Sequence, residues 1–487
     1  MAKNDLNLIS VTSETGTLKR LLVHSPDSGI GKVVPSKAQD WLFEDIVHLD
    51  TIRRKEYDYY IKLLLYFLDP EKIKGKLKKI DDPKNKRNFY KPDHKDFHAS
   101  DKVIELQYLL AEILENKDIR QNLIASVCAI ESCSYATQQR LFDYDSKQLA
   151  KIFISGTHNE NEMIFPPIPN FIFTRDIGIT INDHILLNKP ARKARRREAL
   201  LAKYVFFNHP IFKDYTDKVL ELPDSELQFL LPNDKNIESH KVTFEGGDVM
   251  MVSKDHLLIG VSERTTWDAA YQAIKLLFDK KVVKKITIVK IPKKRDFMHI
   301  DTVFTQVKKN VWVMLGIFSS KSVKHLDGNE LQRHLGIGAV QKSKDEKLKI
   351  MQFNIKDINK PKMFESLDEL LIDISTKDLG CKEKDVKIIL SGNDIFPYDM
   401  REQWTDSCNL LAIRDGVAIG YDRNEKTLDA FHEAGFKSVN VEDLIQDLEN
   451  DKVKVEDITD TIILMPSAEL SRARGGFHCM SMPLLRD

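Results

Sequence analysis

One pattern occurs four times between residues 175 and 420 and constrains the fold more than any other feature of the sequence. Each copy has an acidic residue near its start, then a short apolar run, a polar turn containing Asn or Asp, and a second apolar run. This alternation is typical of a β-hairpin. The copies cover residues 175–188, 247–260, 299–315 and 405–420. We therefore expect a protein built from repeated units.

Segments with helical spacing follow three of the four hairpins, at residues 191–204, 266–280 and 424–434. A ββα unit buries one face only against its neighbours, so several units favour a ring or a propeller-like array of α/β class. In such a ring the heads of the first strands point toward one axis. We expect Asp176, Asp248, Asp301 and Asp406 to meet there, and a strand at 18–24 to pair near residues 476–485 and close a fifth unit.

Two segments differ from the repeats. Residues 51–155 carry apolar side chains at helical spacing and are expected to form a mostly helical insertion, so that residues 1–50 and 156–487 make up the α/β unit. Residues 321–396 are polar and Lys-rich, with a helical piece at 363–376 and a β-like piece at 386–390. We expect this second segment to be an elaboration inside one repeat.

Composition excludes several functional classes. The 74 basic and 74 acidic residues cancel, which argues against a general nucleic-acid binder or a protein that binds anionic membranes. No stretch approaches the ~20 apolar residues of a membrane span. Five scattered cysteines fit a reducing compartment better than a disulfide framework, so we expect a cytoplasmic protein.

The sequence near residue 479 combines groups that do chemistry. Gly475 and Gly476 allow a tight turn or a close approach, and His478 stands beside the thiol of Cys479. The other four cysteines, at positions 128, 133, 381 and 408, are interpreted as small buried apolar residues. His299 is two residues from Asp301, which puts both side chains on one side of a strand, where an imidazole can move protons.

Carboxylates pooled with a thiol and an imidazole suit a guanidinium ligand. A guanidinium offers five N–H donors and no acceptor, so two carboxylates, here Asp176 and Asp301, would clamp its edges. The Cys479 thiolate would then attack the central carbon, helped by the positive charge of the substrate. The Glu245-Gly246-Gly247-Asp248 segment adds carboxylates but is also typical of a structural turn. Metal binding is the rival, although no pair of ligands has zinc-like spacing.

Five motifs in this order resemble the arginine deiminase family: FTRD at 173–176, EGGD at 245–248, MHIDTVF at 298–304, REQWTDSCN at 401–409 and RARGGFHCMSMP at 472–483. The resemblance spans nearly the whole chain. It implies the five-bladed ββαβ propeller of the guanidine-modifying superfamily (pentein-like), with an early helical insertion. It also implies hydrolysis of free L-arginine to L-citrulline and ammonia through a Cys-thiouronium intermediate, without cofactor or metal, by a homo-oligomer.

The resemblance also implies roles for individual residues. Cys479 is the nucleophile, and His299 protonates the leaving ammonia and later activates water. Asp176 and Asp301 hold the guanidinium, and Glu245 lies at the side of His299 and the substrate. The residues implied at the α-carboxylate and α-amino end, or in support of the site, are Asn170, Phe173, Arg195, Arg264, Arg474 and Asp248.

Some alternatives stay open at this point. Arg195 could instead belong to a solvated basic helix face, because residues 192–197 are dense in charge. Ala473 stands where the family pattern has Gly, and the stretch from His299 to Cys479 is long for a compact member. Other reactions on the same scaffold, such as amidino transfer or hydrolysis of citrulline or a substituted arginine, compete with deimination, as does arginine binding without turnover.

Overall fold

The computed structural model describes residues 8–26, 28–38, 40–41, 43, 45–82, 84, 89–159, 162–223, 242–320 and 348–487, and it has a mixed α/β fold. In these residues the strands are β1 (Leu18–Val23), β2 (Val103–Glu105), β3 (Thr157–Asn159), β4 (Glu162–Met163), β5 (Gly178–Ile181), β6 (His184–Leu187), β7 (Val219–Leu220), β8 (Val249–Ser253), β9 (His256–Val261), β10 (Lys285–Lys290), β11 (Phe304–Lys308), β12 (Val311–Met314), β13 (Lys349–Asn354), β14 (Asp357–Phe364), β15 (Lys387–Leu390), β16 (Leu411–Arg414), β17 (Val417–Tyr421), β18 (Lys437–Asn440), β19 (Thr461–Met465) and β20 (Met482–Arg486). The α-helices are α1 (Leu49–Thr51), α2 (Tyr57–Leu68), α3 (Leu77–Ile80), α4 (Leu106–Ile113), α5 (Lys117–Ile130), α6 (Tyr135–Leu141), α7 (Ser146–Ser155), α8 (Arg196–Asn208), α9 (Trp267–Asp279), α10 (Leu367–Asp373), α11 (Tyr398–Trp404), α12 (Glu425–Glu433) and α13 (Val441–Glu449).

All four predicted hairpins are confirmed. They are the antiparallel pairs β5–β6, β8–β9, β11–β12 and β16–β17. The second strand of each hairpin also pairs in parallel with a third strand, which is β7, β10, β15 and β19 respectively. A parallel third strand requires a crossover connection, and helices lie in all four: α8, α9 and α10 in the first three, and α12 and α13 in the fourth. The repeated unit is therefore two antiparallel strands followed by a crossover to a parallel third strand.

A fifth sheet of the same design joins segments that are distant in sequence. β20 pairs antiparallel with β1, with Leu22 opposite Met482, and β1 pairs in parallel with β2. The predicted pairing of residues 18–24 with the 476–485 region is thus confirmed. Helix α2 lies between β1 and β2 in the chain, as a crossover helix does in the other units.

The helices that follow the hairpins begin at a capping side chain or bury one apolar side. In α9 the hydroxyl of Thr266 accepts a hydrogen bond from the backbone N–H of Ala269, and Ala273, Ile274 and Leu277 are buried at helical spacing. Of the predicted segments, 266–280 and 424–434 agree closely with α9 and α12, whereas helix α8 begins at Arg196, later than the predicted start at 191.

Residues 51–155 contain helices α2 to α7, and α7 begins with a capping box formed by Asp145 and Gln148. The same range also supplies β2 to the sheet of β1 and β20. Part of the range predicted to be a helical insertion is thus part of the repeated architecture.

The segment 321–396 was expected to elaborate one repeat, and its residues 321–347 lie outside the described part of the chain. The described rest of the segment contributes strands to two sheets. β13 pairs antiparallel with β10 and extends the second sheet, whereas β15 joins the third. The predicted helix at 363–376 is shorter, since Met363 belongs to β14 and the α-helix covers Leu367–Asp373.

Four clusters of buried apolar side chains fill the space between the sheets and their helices. None of the described helices combines the length and the apolar character needed to cross a membrane.

Candidate active site

The candidate site lies where the first strands of the five units begin. Short 3-10 turns precede β5, β8 and β11, and they contain Asp176, Asp248 and Asp301. Asp406 precedes β16, and Cys479 precedes β20. The meeting of strand heads that the repeats predict is confirmed, because these segments contact one another in a continuous series.

Hydrogen bonds join the five strand heads in sequence, and the last returns to the first. Each bond links one unit to the next. They run from Gly247 N to Asp176 Oδ1 (3.2 Å), from Ile300 N to Asp248 Oδ1 (3.0 Å), from Asn409 Nδ2 to the Asp301 carbonyl (3.2 Å), from Gly475 N to Asp406 Oδ2 (2.9 Å) and from Arg175 N to the Cys479 carbonyl (3.0 Å). The site is therefore positioned by five units at once.

The thiol of Cys479 is buried and held by two neighbours. Asn409 donates from Nδ2 to Sγ (3.1 Å) and accepts the Cys479 backbone N–H at Oδ1 (3.1 Å), which fixes both ends of the residue. Sγ lies 3.3 Å from Oδ2 of Asp301, to which the thiol donates. Burial, followed by the negative charges of Asp301 and Asp176, raises the pKa of the Cys479 thiol well above its usual value. The thiol is protonated in this state.

The imidazole of His299 lies between two carboxylates. Its Nε2 is 3.0 Å from Oε2 of Glu245, and its Nδ1 is 3.9 Å from Oδ1 of Asp176. Burial favours the neutral ring, but Asp176 and Glu245 outweigh it and raise the pKa of His299 to about 10. His299 is consequently an imidazolium with a proton to give.

Gly247, in the Glu245–Asp248 turn, has to be a glycine because the imidazole of His299 packs against it. A Cβ at Gly247 would lie 2.6 Å from Nδ1 of His299, closer than any real contact. The turn is both structural and part of the site, so the two interpretations of this segment are not exclusive.

Arg195 is buried among carboxylates. Its Nη1 donates to Asp176 Oδ2 (2.9 Å) and Glu245 Oε2 (3.1 Å), and its Nε donates to Glu198 Oε2 (2.8 Å). Only 3% of Arg195 is exposed, so its assignment to a solvated basic face is wrong. The guanidinium of the protein itself occupies a position between carboxylates, which is the environment predicted for a substrate guanidinium.

The remaining predicted residues also surround this point. Asn170 donates to the Trp41 carbonyl (2.8 Å), and Arg264 donates to Met298 Sδ (3.3 Å). Arg474 stacks on the ring of Trp404 at 3.8 Å. The ring of Phe173 packs against the backbone at Gly475, where a Cβ would lie 2.3 Å from it.

Asp248 supports the site from beneath. Its Oδ2 accepts a hydrogen bond from Ser262 Oγ (2.6 Å), and its Oδ1 accepts the backbone N–H of Ile300 beside His299. Burial raises the pKa of Asp248 to about 6. These bonds fix the turn that carries His299 and Asp301, and Asp248 is not among the residues that line the cavity.

A small cavity lies between these side chains, with a volume of about 30 Å³. Its lining includes eight of the eleven predicted site residues, and Glu245, Asp248 and Asp301 lie behind them. The lining residues are Asn170, Phe173, Asp176, Arg195, Arg264, Arg295, Met298, His299, Thr302, Asp406, Ala473, Arg474, Gly475 and Cys479. Typical small-molecule sites measure roughly 300–1,000 Å³, so the cavity in this state holds no more than a water or two, and a larger ligand has to displace a side chain.

Several polar atoms at the site have no hydrogen-bond partner among the described residues. They are Oδ1 of Asp301, Nη2 of Arg195, Nε of Arg264, and Nε and Nη1 of Arg474. Buried polar groups are normally satisfied, so this set indicates a ligand that both donates to a carboxylate and accepts from arginines. A zwitterion with a guanidinium fits that description.

Three residues of the site were not predicted from the sequence as functional. Asn409 holds the thiol, Glu198 pairs with Arg195, and Glu14 Oε2 lies 3.1 Å from Nε2 of His478, whose Nδ1 is 2.9 Å from Asp301 Oδ2. The available signal for Asn409 was its position three residues after Asp406 at a hairpin head.

Burial raises the pKa of Glu198 to about 7, despite the opposing charge of Arg195.

Asp176, Glu245 and His299 each offer a ligand atom within 4.8 Å of the others, so this trio could hold a cation. In this structure Arg195 binds two of the three. The prediction that no metal takes part stays a prediction.

A mixed α/β scaffold that buries a thiol, an imidazolium and carboxylates at one point belongs to an enzyme acting on a small cationic group. A family model described as arginine deiminase matches residues 132–486. This protein belongs to the arginine deiminase family.

Two sequence relatives agree with this assignment. Arginine deiminase of Borrelia duttonii is 30% identical over 490 residues, with 99% of each chain covered. Arginine deiminase of Bacillus cereus is 29% identical over 501 residues, with 98% of each chain covered. Among solved structures, the amidinotransferase SxtG from Microseira wollei aligns over 98% of this chain and 97% of its own, at 13% identity and a TM-score of 0.47.

Proposed function

We propose that this protein hydrolyses free L-arginine to L-citrulline and ammonia through a covalent thiouronium on Cys479. The observation that carries this proposal is that a buried thiol, an imidazolium and carboxylates from separate units meet at one point, where they accompany the guanidinium of the protein's own Arg195. Membership of the arginine deiminase family supports the choice of substrate.

In the first half-reaction, the substrate guanidinium enters beside Sγ, and its positive charge favours ionisation of the thiol, whose proton is released to solvent. The thiolate of Cys479 attacks the guanidinium carbon and forms a C–S bond. One C–N bond breaks, and the leaving nitrogen takes the proton of the His299 imidazolium and departs as ammonia. The raised pKa of His299 supplies that proton at neutral pH.

In the second half-reaction, neutral His299 accepts a proton from water, and the resulting hydroxide attacks the thiouronium carbon. The C–S bond breaks, the departing sulfur takes up the proton of the new hydroxyl group, and citrulline and the resting thiol remain. The total is arginine plus water to citrulline plus ammonia. Asp176, Glu245 and Asp301 hold the positive charge of the substrate during these steps, with Asp301 offering an oxygen that no described residue uses.

The substrate has to displace Arg195. The Arg195 guanidinium already binds Asp176 and Glu245, and the remaining cavity is too small for arginine. When the substrate guanidinium takes over these carboxylates, Arg195 becomes available to bind the substrate carboxylate, together with Arg264 and Arg474. An arginine and a carboxylate form the charge-assisted pairing expected there.

The proposal extends to architecture and setting. Five sheets of one design and a hydrogen-bonded series of strand heads that returns to its start support a five-bladed propeller over residues 1–50 and 156–487. We assign residues 51–155 to a mostly helical insertion that also contributes one strand, and 321–396 to an elaboration of the propeller. All five cysteines are unpaired, which supports a cytoplasmic location, and the homo-oligomer stays a prediction.

The test is to incubate the purified protein with L-arginine and to quantify citrulline and ammonia together. We expect equal amounts from the wild type and none from Cys479→Ser, with Cys408→Ser as the matched control, because Cys408 is an equally buried thiol away from the cavity. Products that change when an amine acceptor is added would indicate amidino transfer. Calorimetric binding of arginine without ammonia would indicate a binding protein, and either result would refute the proposal.

A further inference from the structure

A second cavity, of about 810 Å³, shares no lining residue with the catalytic cavity. It is bounded by described residues between 25 and 32 and between 47 and 53, by Lys91–Asp93, and by Lys151 of α7 together with β3. This volume is within the range of sites that hold a ligand of nucleotide size.

The walls of the cavity carry an excess of positive charge. Of the residues that the structure describes, four cationic side chains line it, Lys32, Arg53, Lys91 and Lys151, together with two carboxylates. The carboxylates are already engaged, because Asp93 pairs with Lys151 (3.5 Å) and Asp50 pairs with Arg54 (3.7 Å). Lys32 and Arg53 donate to backbone carbonyls of Asn159 (3.3 Å) and Pro26 (2.8 Å), which carry no formal charge.

The pKa of Lys91 is affected by this positive charge. Burial, and next the charge of Arg53, lower the pKa of Lys91 to about 8, and the carboxylates of Asp93 and Asp50 oppose this shift by less. A lysine beside an arginine in a half-buried wall is costly unless an anion accompanies them. Among the described lining residues, the cationic side chains therefore outnumber the carboxylates that could neutralise them.

Neutral donors complete the lining. The hydroxyls of Ser28 and Thr157 lie 3.4 Å apart, and Gln107 is buried beside them. Phosphate oxygens accept from guanidinium, ammonium and hydroxyl groups together, and a phosphate carries enough charge to satisfy two or three cations.

Residues 47–56 connect this cavity to residues 469–474, which lead to Cys479. The His48 backbone N–H donates to Glu469 Oε2 (2.7 Å), and the Glu56 carboxylate accepts the backbone N–H groups of Glu469 (2.9 Å) and Leu470 (2.5 Å). Residues 47–53 line the cavity on one side, and residue 470 begins the turn that ends beside Arg474.

We propose that this cavity binds a small phosphorylated anion and that its occupancy is transmitted through residues 47–56 to the loop that carries Arg474 and Cys479. The first claim does not depend on the proposed function, because binding can be measured without turnover. The second claim rests on the proposed function.

The binding test is isothermal titration calorimetry of the full-length protein at pH 7 and low salt with inorganic phosphate, pyrophosphate, AMP and ATP. We expect at least one of these probes to bind, with affinity falling as salt is added. Lys91→Gln should weaken binding 10-fold or more, whereas Lys55→Gln, an exposed lysine next to the same segment, should not. Equal affinity for phosphate and AMP would show that the phosphate group alone is recognised, and tighter binding of AMP would show an organic ligand.

A second measurement covers the chance that Lys91→Gln disturbs folding. In the wild type, acylation of Lys91 by an amine-reactive reagent, followed by mass spectrometry, should slow at least 5-fold when the bound probe is present, and acylation of Lys55 should not change. Absence of heat and of protection with all four probes at millimolar concentration would overturn the site. A saturating probe that leaves kcat and KM for arginine unchanged in an active enzyme would overturn the transmission.

Discussion

Asn409 offers the sharpest test of how the thiol is held. Its amide donates to Sγ of Cys479 and to the carbonyl of Asp301, while its oxygen accepts the Cys479 backbone N–H. Asn409→Asp retains the shape and that acceptor, but the ionised side chain loses both donors and places a negative charge beside the sulfur. The thiolate becomes harder to form.

The magnitude follows from the bond that is lost. A hydrogen bond to a charged group contributes about 1.5–3 kcal/mol, and a factor of ten in rate corresponds to about 1.4 kcal/mol. We expect kcat for citrulline formation to fall about 10- to 150-fold by these principles, and the pH dependence of thiol alkylation by iodoacetamide to move to higher pH.

The control is Asn424→Asp. Asn424 is also buried, and its side chain bonds to Thr405 rather than to the thiol. It should reduce stability without moving the alkylation profile. A folded Asn409→Asp enzyme with kcat within twofold of wild type and an unshifted alkylation profile would refute the reasoning.

Three further predictions follow from the geometry. Arg264→Gln or Arg474→Gln should lower kcat/KM for arginine about 10- to 150-fold, since each removes a charge-assisted contact, but should affect agmatine, which lacks the carboxylate, by less than threefold; equal losses would contradict a role at the carboxylate. The pKa of His299 is raised from 6.5 to about 10, so the contribution of its imidazolium to the folding free energy is fully present below pH 6.5 and is lost as the pH rises through 10. The melting temperature of the wild type should therefore fall more steeply over this range than that of His299→Gln. Parallel slopes for the two proteins would contradict this prediction. Gly247→Ala should abolish most citrulline formation, because its Cβ would have to push the His299 ring aside, with an intact circular dichroism spectrum as the control for folding; near-normal activity would contradict the contact.

The hairpins were predictable because their signal is local. Alternating apolar runs around an Asn or Asp turn specify β5–β6 or β16–β17 without any information from the rest of the chain. The destination of β13 was not predictable in the same way. Its pairing with β10 depends on which sheet edge is open in three dimensions, and the order of segments along the chain does not contain that information.

The residues of the site likewise include some that local sequence predicts and others that depend on the tertiary fold. Asp176, His299 and Cys479 were found because their residue types and positions at strand heads indicate chemistry. The burial of Arg195 was not predicted, because it depends on the carboxylates of Asp176 and Glu245, which come from other parts of the chain. Asn409 was missed for a related reason: an amide has no reactivity of its own, and its importance lies in the sulfur that it contacts.

The position of Arg195 has a consequence for the end of the catalytic cycle. Citrulline carries a neutral ureido group where arginine carries a charge, so it holds Asp176 and Glu245 far less strongly than a guanidinium does. Arg195 stays tethered to the same helix start and is present at a fixed high local concentration, so it competes with the product much more effectively than with the substrate. With the proposed displacement of Arg195 by substrate, its return to these carboxylates should favour release of citrulline, and turnover should be little inhibited as citrulline accumulates.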